Sequence, residues 1–300
     1  MTTQIQKPFL KWVGGKTQII QQIINHFPTE MNNYHEIFLG GGSVLFALLS
    51  LRKSNNIKVN GEIYAYDLNQ DLINLYQVIQ TNPTEFLAIL NEFKETYHNI
   101  TTTTTINRKP KTLEDALTSK ESYYYWIRKQ FNTTHDNKIQ KSAMFLFLNK
   151  TCFRGLYRTG PNGFNVPYGH YKTTPAIITE DELNKISELI SDVHFICSDF
   201  TNSIPKAEPN DYIYLDPPYA PETEKSFVGY TADGFDLEAH NNLFNLIKNL
   251  DESIKFTLSN SKVDMVTEAF ENYNQEDVNA RRAINSRNPN SITTEVIISN

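Results

Sequence analysis

The sequence predicts an α/β fold built on an open sheet, and three stretches carry that prediction. Tyr34-His35-Glu36-Ile37-Phe38-Leu39 runs into Gly40-Gly41-Gly42-Ser43 and a helical pattern; Glu62-Ile63-Tyr64-Ala65-Tyr66 closes on Asp67 at the head of another; Tyr212-Ile213-Tyr214-Leu215 closes on Asp216-Pro217-Pro218-Tyr219. Short apolar and aromatic runs that stop at Gly, Asp or Pro read as strands, and the 3.6-residue periodicity that follows reads as helix. In open α/β sheets ligands bind beyond the carboxyl ends of the strands, where these runs place their glycines, acids and tyrosine.

Composition narrows the function classes. The chain has 300 residues, 39% hydrophobic and 21% charged, ordinary for a globular protein with a sizeable core. No apolar stretch approaches the ~20 residues of a membrane span, and Met1-Thr2-Thr3-Gln4-Ile5-Gln6-Lys7 lacks the apolar core of a signal peptide. An intracellular location and no membrane partner are therefore expected. Cys152 and Cys197 are too few for a disulfide framework or a four-cysteine zinc site, and the seven histidines show no ligand spacing near them. No metal and no disulfide are expected. The net charge of −6 argues against nucleic acid, but its distribution reverses that: between Ile106 and Pro175 twelve Lys or Arg face four Asp or Glu, a net +8 that leaves −14 for the remainder. A basic middle inside an acidic body suits a nucleic-acid-facing insertion.

In chain order, the first motif is Pro8-Phe9-Leu10-Lys11-Trp12-Val13-Gly14-Gly15-Lys16-Thr17, leading into an amphipathic helix through about His26. Its Gly-Lys-Thr ending invites a phosphate-loop reading, which needs a glycine where Leu10 stands and so fails. A glycine pair before a lysine at a helix start still offers backbone N–H groups and a cation to an anion such as a carboxylate. The glycines after Leu39 let backbone approach a ligand closely, and a helix follows from Val44 to Leu51. Asp67, at the end of the second strand, is placed to bind ribose hydroxyls or, alternatively, to cap the next helix.

Helical patterns cover about Pro83 to Tyr97, Leu113 to Phe131 and Lys138 to Asn149; the five threonines Thr101 to Thr105 read as a loop tip. The stretch Leu148 to Lys172 is rich in Arg, Tyr, Asn and Gly without helical period, so a largely irregular loop is expected; arginines interleaved with rings and amides suit a groove-reading surface. A helix around Asp181 to Ile190, a strand Val193 to Cys197 ending in Ser198-Asp199-Phe200, a polar stretch Glu222 to Tyr230 that could close on a ligand, a helix from Leu237 to about Leu250 and a strand Phe256 to Ser261 follow. Val278 to Ile284 and Glu295 to Ile298 fit a terminal hairpin, with Arg281 and Arg282 near its turn.

The order of these motifs resembles the Dam-type adenine-N6 DNA methyltransferases: Phe-Leu-Lys-Trp-x-Gly-Gly-Lys at the start, the glycine turn and Asp67, the Phe164-Asn165-Val166-Pro167-Tyr168-Gly169 segment, and Asp216-Pro217-Pro218-Tyr219. The resemblance covers nearly the full length. It implies a Rossmann-like S-adenosylmethionine-dependent catalytic domain from residues 1–83 and 177–300, with a helical target-recognition insertion at 84–176. It implies that Trp12, Lys16, Phe38, Gly40, Gly42, Asp67, Asp199, Phe200 and Asp216 hold S-adenosylmethionine, and that Lys11, Arg128, Asn149, Arg154, Arg158, Asn165 and Tyr168 face double-stranded DNA. A cognate restriction endonuclease is a candidate partner, and a monomer or weak dimer is expected. One departure stands out. The family commonly has Asn-Gly-Leu where this chain has Arg154-Gly155-Leu156, in the segment that the resemblance places on DNA; the expected target is GATC or a related four-base site, and this departure speaks for a site other than the GATC of the best-known members.

The chemistry implied is methyl transfer to adenine N6, an amine whose lone pair is delocalised into the ring and which lies inside the base stack until the base is flipped out. Asp216 and the Pro217 carbonyl are expected to accept its two hydrogens and Tyr219 to stack on the ring, with Pro218, whose carbonyl is a further rigid acceptor, completing the catalytic motif. The same pocket would suit cytosine N4 or an RNA base. A non-catalytic DNA-binding module is the alternative outside the enzyme class.

Overall fold

The computed structural model describes residues 4–101, 103–220, 235–281 and 292–300. The polar stretch Glu222 to Tyr230, Thr102 of the threonine run and Arg282 of the tail lie outside these residues. The chain divides into two compact units, one of Met1–Lys7, Lys16–Leu68 and Asp192–Asn300, the other of Pro8–Gly15 and Asn69–Ser191.

The first unit carries a seven-stranded sheet. Its strands in chain order are β1 (Tyr34–Glu36), β2 (Ile63–Asp67), β3 (Val193–Cys197), β4 (Tyr212–Leu215), β5 (Lys255–Ser261), β6 (Asn274–Arg281) and β7 (Ile292–Ser299). Side by side they run β6-β7-β5-β4-β1-β2-β3. The five from β5 to β3 are parallel to their neighbours, while β7 is antiparallel to both β5 and β6. The chain builds outward from β1 through β2 to β3, then restarts at β4 on the other side of β1. That reversal makes the carboxyl ends of β1 and β4 a topological switch point, where open α/β sheets bind ligands.

The two central strands, β1 and β4, are aromatic and buried throughout. All four residues of β4 are buried, which demands partners for its tyrosine hydroxyls, since a buried orphan costs about 1–3 kcal/mol. Tyr212 donates to Thr257 Oγ1 at 2.6 Å, Tyr214 pairs with Ser259 Oγ at 3.0 Å and Tyr34 donates to Glu36 Oε2 at 2.7 Å. At the opposite end of the strands His35 Nε2 lies 2.9 Å from Asp211 Oδ2, and Asp211 Oδ1 accepts from the Asn33 backbone and side chain, joining the starts of β1 and β4.

Around the sheet stand α1 (Ile20–Asn25) and α2 (Ser43–Lys53). The helix expected from Thr17 to His26 is a 3-10 turn, Lys16–Gln18, followed by the short α1. β1 stops at Glu36, short of the expected Leu39, although Ile37 N and Leu39 N still bond to Tyr214 O and Tyr66 O.

The second unit is helical. Its helices are α3 (Gln70–Thr81), α4 (Pro83–Asn99), α5 (Leu113–Ala116), α6 (Lys120–Thr133), α7 (Lys138–Thr151) and α8 (Glu180–Leu189). Helix α7 is buried along most of its length and packs on α3, α4 and α6. A single helix was expected from Leu113 to Phe131; the structure breaks it, because Ser119 turns its hydroxyl to the Ser122 N–H and starts α6 anew. Serine competes with the helix for its own backbone in this way. After α7 the expected irregular stretch holds a 3-10 turn, Phe153–Gly155, and a two-residue ladder of Thr159–Gly160 with Gly163–Phe164. The first unit then resumes with β3, α9 (Phe200–Ser203), β4, α10 (Leu237–Lys248), β5, α11 (Asp264–Ala269) and the hairpin of β6 and β7.

Candidate active site

The exit from β4 gathers most of the chemistry of the first unit. Asp216 follows the last strand residue, and its Oδ2 lies 2.7 Å from Lys16 Nζ, a pair in which the lysine side chain is 4% and the aspartate 19% exposed. Lys16 gets there because its backbone N–H donates to Ser43 Oγ at 3.0 Å, tying the Gly-Gly-Lys turn to the start of α2. The same ammonium stands 4.8 Å from the centroid of the Tyr219 ring. Burial pushes the Asp216 carboxyl up to about 6; Lys16 opposes the rise and Glu295 adds to it. Nearby on β1, burial pushes Glu36 up to about 8, against the hydrogen bond from Tyr34 and with Asp216 adding to the rise.

The two prolines end the strand, and polar groups from other elements hold the turn they begin. His240, buried on α10, places Nε2 3.1 Å from the Pro218 carbonyl. Ala220 N donates to Asn260 Oδ1 at 3.1 Å, Ser261 Oγ donates to Ala220 O at 2.5 Å, and Tyr219 OH donates to Glu295 Oε2 at 2.6 Å. Sequence reasoning missed these four side chains as part of the site. The polar end of an otherwise apolar strand at Ser259-Asn260-Ser261 and the lone acid opening Glu295-Val296-Ile297-Ile298 are the signals that would have found them.

A second cluster lies at the carboxyl ends of β1, β2 and β3. Gly40 and Gly42 adopt φ of 51° and 70°, and Gly42 caps α2 from the left-handed region that side chains avoid. Gly40 N donates to Asp67 Oδ2 at 2.9 Å, so the acid is tied to the glycine turn. The capping alternative for Asp67 falls to Asn69, whose side chain accepts from Leu72 N. Asp199 is a helix cap: its Oδ1 takes the Thr201 N–H and hydroxyl, and both bonds leave Oδ2 aside. Phe200 is buried, 6.0 Å ring to ring from Phe38.

Trp12 belongs to the second unit, stacked at 5.9 Å on Tyr157 and 6.3 Å on Phe145. Of the residues expected to face DNA, all in this unit, Lys11 is held from behind. Asn149 accepts from Lys11 N at 3.0 Å and donates to Lys11 O at 2.7 Å, a bracket that leaves its own amide 5% exposed. Gly155 must be glycine, for at φ 67° an added Cβ would lie 2.3 Å from the Lys11 Cβ. Lys150, also passed over by sequence reasoning, adjoins Lys11, and burial with that neighbour pushes it down to about 8.

Arg154 and Arg158 are exposed, Arg154 in the left-handed region at φ 57°. Arg158 Nε donates to Asn165 Oδ1 at 2.7 Å, and Arg128 donates to Val166 O at 3.1 Å while its guanidinium lies 4.6 Å from the Tyr125 ring. Tyr168 is buried with its hydroxyl 2.7 Å from that of Tyr97. Asn149 and Tyr168 thus make these bonds inside the unit.

Among the described residues no group of three His, Cys, Asp or Glu is arranged to hold a metal ion, and no helix is long and apolar enough to cross a membrane.

Comparison with known proteins gives a consistent picture. A family model described as D12 class N6 adenine-specific DNA methyltransferase matches residues 12–284. The chain is 35% identical over 292 residues to the type II methyltransferase M.MjaIII of Methanocaldococcus jannaschii, covering 94% of this chain and 93% of the relative. It is 30% identical over 303 residues to the type II methyltransferase M1.LlaDCHI of Lactococcus lactis, covering 98% and 95%. To a DNA adenine methylase of Haemophilus influenzae it is 32% identical over 288 residues, covering 94% and 89%.

Proposed function

The chain belongs to the D12 class N6 adenine-specific DNA methyltransferases, and on that premise we propose that it methylates adenine N6 within one short duplex motif, GATC or a related four-base site, with Asp216 as the acceptor that receives the amine. The family implies S-adenosylmethionine as the methyl donor. The observation that carries the residue assignment is the Asp216 carboxyl at the switch point between β1 and β4, half-buried, paired with the buried Lys16 and flanked by the Tyr219 ring.

Once flipped out, the base presents N6 with two hydrogens. Asp216 and the Pro217 carbonyl accept them and draw the nitrogen toward a tetrahedral form with a directed lone pair. Positive charge grows on nitrogen as the new bond forms, so a preplaced carboxylate stabilises the transition state more than the ground state. Asp216 need not be a strong base, because the amine acidifies as it is alkylated. Tyr219 stacks on the ring, and Pro218 keeps the turn from relaxing into strand.

The donor supplies a methyl group on a positively charged sulfur. The tied glycine turn and acid, Gly40 with Asp67, fit a ribose, since one Asp67 oxygen is held by Gly40 N and orients the other. Gly42, Phe38, Asp199 and Phe200 complete this proposed cradle, the acid and rings for the adenine, and Lys16 meets the amino-acid carboxylate. Trp12 is likewise proposed to contact the donor.

In that unit, residues 84–176 are proposed to read the target. Lys11, Arg154 and Arg158 make the direct contacts. Arg128, Asn149, Asn165 and Tyr168 shape the surface that presents them, a role their internal bonds support. A companion restriction endonuclease of the same specificity belongs to this reading, as does action as a monomer or weak dimer.

The test is single-molecule sequencing of genomic DNA from a methylation-free bacterial host expressing the chain. N6-methyladenine at one short motif is expected. Methylation confined to cytosine N4, or no modified base from protein that binds S-adenosylmethionine, would overturn the reading.

A further inference from the structure

We propose that Glu295, on the last strand of the sheet, is a positioning residue for methyl transfer: it anchors the Tyr219 ring through the phenol. The inference rests on the roles given above to Asp216 and Tyr219.

Strand β7 does not touch β4; β5 lies between them. Glu295 pairs in register with Ser261, the last residue of β5, so the three strand ends converge on one turn. Asn260 and Ser261 hold the peptide of Ala220 from both sides, which places the Tyr219 backbone. The 2.6 Å bond from the Tyr219 hydroxyl to Glu295 Oε2 holds the far end of the side chain. Stacking alone would need only the ring. A tyrosine tied at its backbone and again at its hydroxyl has the direction of its ring axis, and so the place of the ring, set from both ends.

Charge supports the assignment. Among the described residues the groups bearing on Asp216 are Lys16 from the Gly-Gly-Lys turn, Glu295 from β7, Glu36 from β1, and the phenols of Tyr214 and Tyr219. Burial raises the Asp216 carboxyl most; Lys16 favours the carboxylate and Glu295 opposes it.

The experiment measures methyl transfer from tritiated S-adenosylmethionine to unmethylated bacterial genomic DNA, with kcat and KM for DNA taken across about pH 5 to 9. Wild type is compared with Asp216→Ala, Glu295→Ala, Glu295→Gln, Tyr219→Phe and the Glu295→Ala/Tyr219→Phe double variant. Glu295→Ala and Tyr219→Phe should each lower kcat about tenfold, and the double variant no further, because both remove one bond. Glu295→Gln, whose amide oxygen accepts the same bond, should restore most of kcat while its acidic limb moves to lower pH. A double variant that loses the product of the two single effects, or a Glu295→Gln enzyme as slow as Glu295→Ala, overturns the proposal. Should Glu295→Ala not fold, Glu295→Gln near wild-type kcat beside a tenfold slower Tyr219→Phe upholds it, and a slow Glu295→Gln or an unimpaired Tyr219→Phe overturns it. If Asp216→Ala turns over like wild type, the site reading itself fails; if it is inactive and the coupling is absent, only Glu295 is misassigned.

Discussion

Replacing Asp216 by Ala does two separable things. It removes the acceptor, and it strands the Lys16 ammonium, 4% exposed, without its partner at 2.7 Å. Breaking a buried pair by deleting one member typically costs about 3–5 kcal/mol. The cation–π contact with the Tyr219 ring at 4.8 Å is already made in the wild type and offsets none of this, so the loss of stability is roughly 3–5 kcal/mol, a Tm lower by about 6–20 °C. The rate effect is larger in consequence. Losing one preorganised group that meets transition-state charge lowers kcat about 10²–10³-fold, ~2.7–4 kcal/mol of barrier. Asp216→Asn separates the two, since its amide oxygen still accepts from Lys16: stability should recover by half or more while the rate stays low. Urea unfolding with linear extrapolation reads the first, tritium transfer into unmethylated DNA at 25 °C the second. An Asp216→Ala enzyme within about tenfold of wild-type kcat would refute the role of the carboxylate, whatever its stability.

Four further outcomes follow from the same geometry. Because the Asp216 carboxyl is pushed up to about 6 from the usual 3.8, the folded protein holds a proton that the unfolded chain has released, so this group's contribution to stability falls as pH rises from about 3.8 to 6. Methyl transfer should conversely rise through about pH 6, and Lys16→Met, which removes the opposing cation, should move that limb upward in a kcat/KM profile. Asn149→Ala leaves Lys11 N and O without their bracket and should cost about 2–3 kcal/mol in urea, with weaker DNA binding at fixed salt. Arg154→Ala and Arg158→Ala should differ in kind: loss of a base contact relaxes the motif at one position in methylome sequencing, whereas loss of a phosphate contact weakens all sequences alike and reduces the salt slope by about 1.

The strands and the residues at their ends were legible because each lies in one short window, where an apolar run and its stop are both visible. Asp67 could be placed at a strand end but not distinguished from a helix cap; the decision lay two residues on, in the side chain of Asn69. The Lys16–Asp216 pair could not be read at all, since its members are 200 residues apart and nothing local marks one as the other's partner. Glu295 is hidden for the same reason, its meaning set by the order β7-β5-β4. In the stretch from Leu148 to Lys172 the residue types were informative but their exposure was not. Asn149 stands in the last turn of α7 and Tyr168 in the irregular segment beyond it, where no period continues to mark the buried side, so both, buried, look like Arg154 and Arg158, exposed.

The reversal of strand order also sets a clock. Translation at about 5–20 residues per second separates the emergence of Lys16 from that of Asp216 by roughly 10–40 s. Through that interval β1 lacks the neighbour it will have in β4, and its edge presents unpaired amides that any other strand could meet. A nascent chain therefore has no acceptor for a base and one vulnerable edge, and a single event, the arrival of β4 beside β1, closes the edge and supplies the acid together.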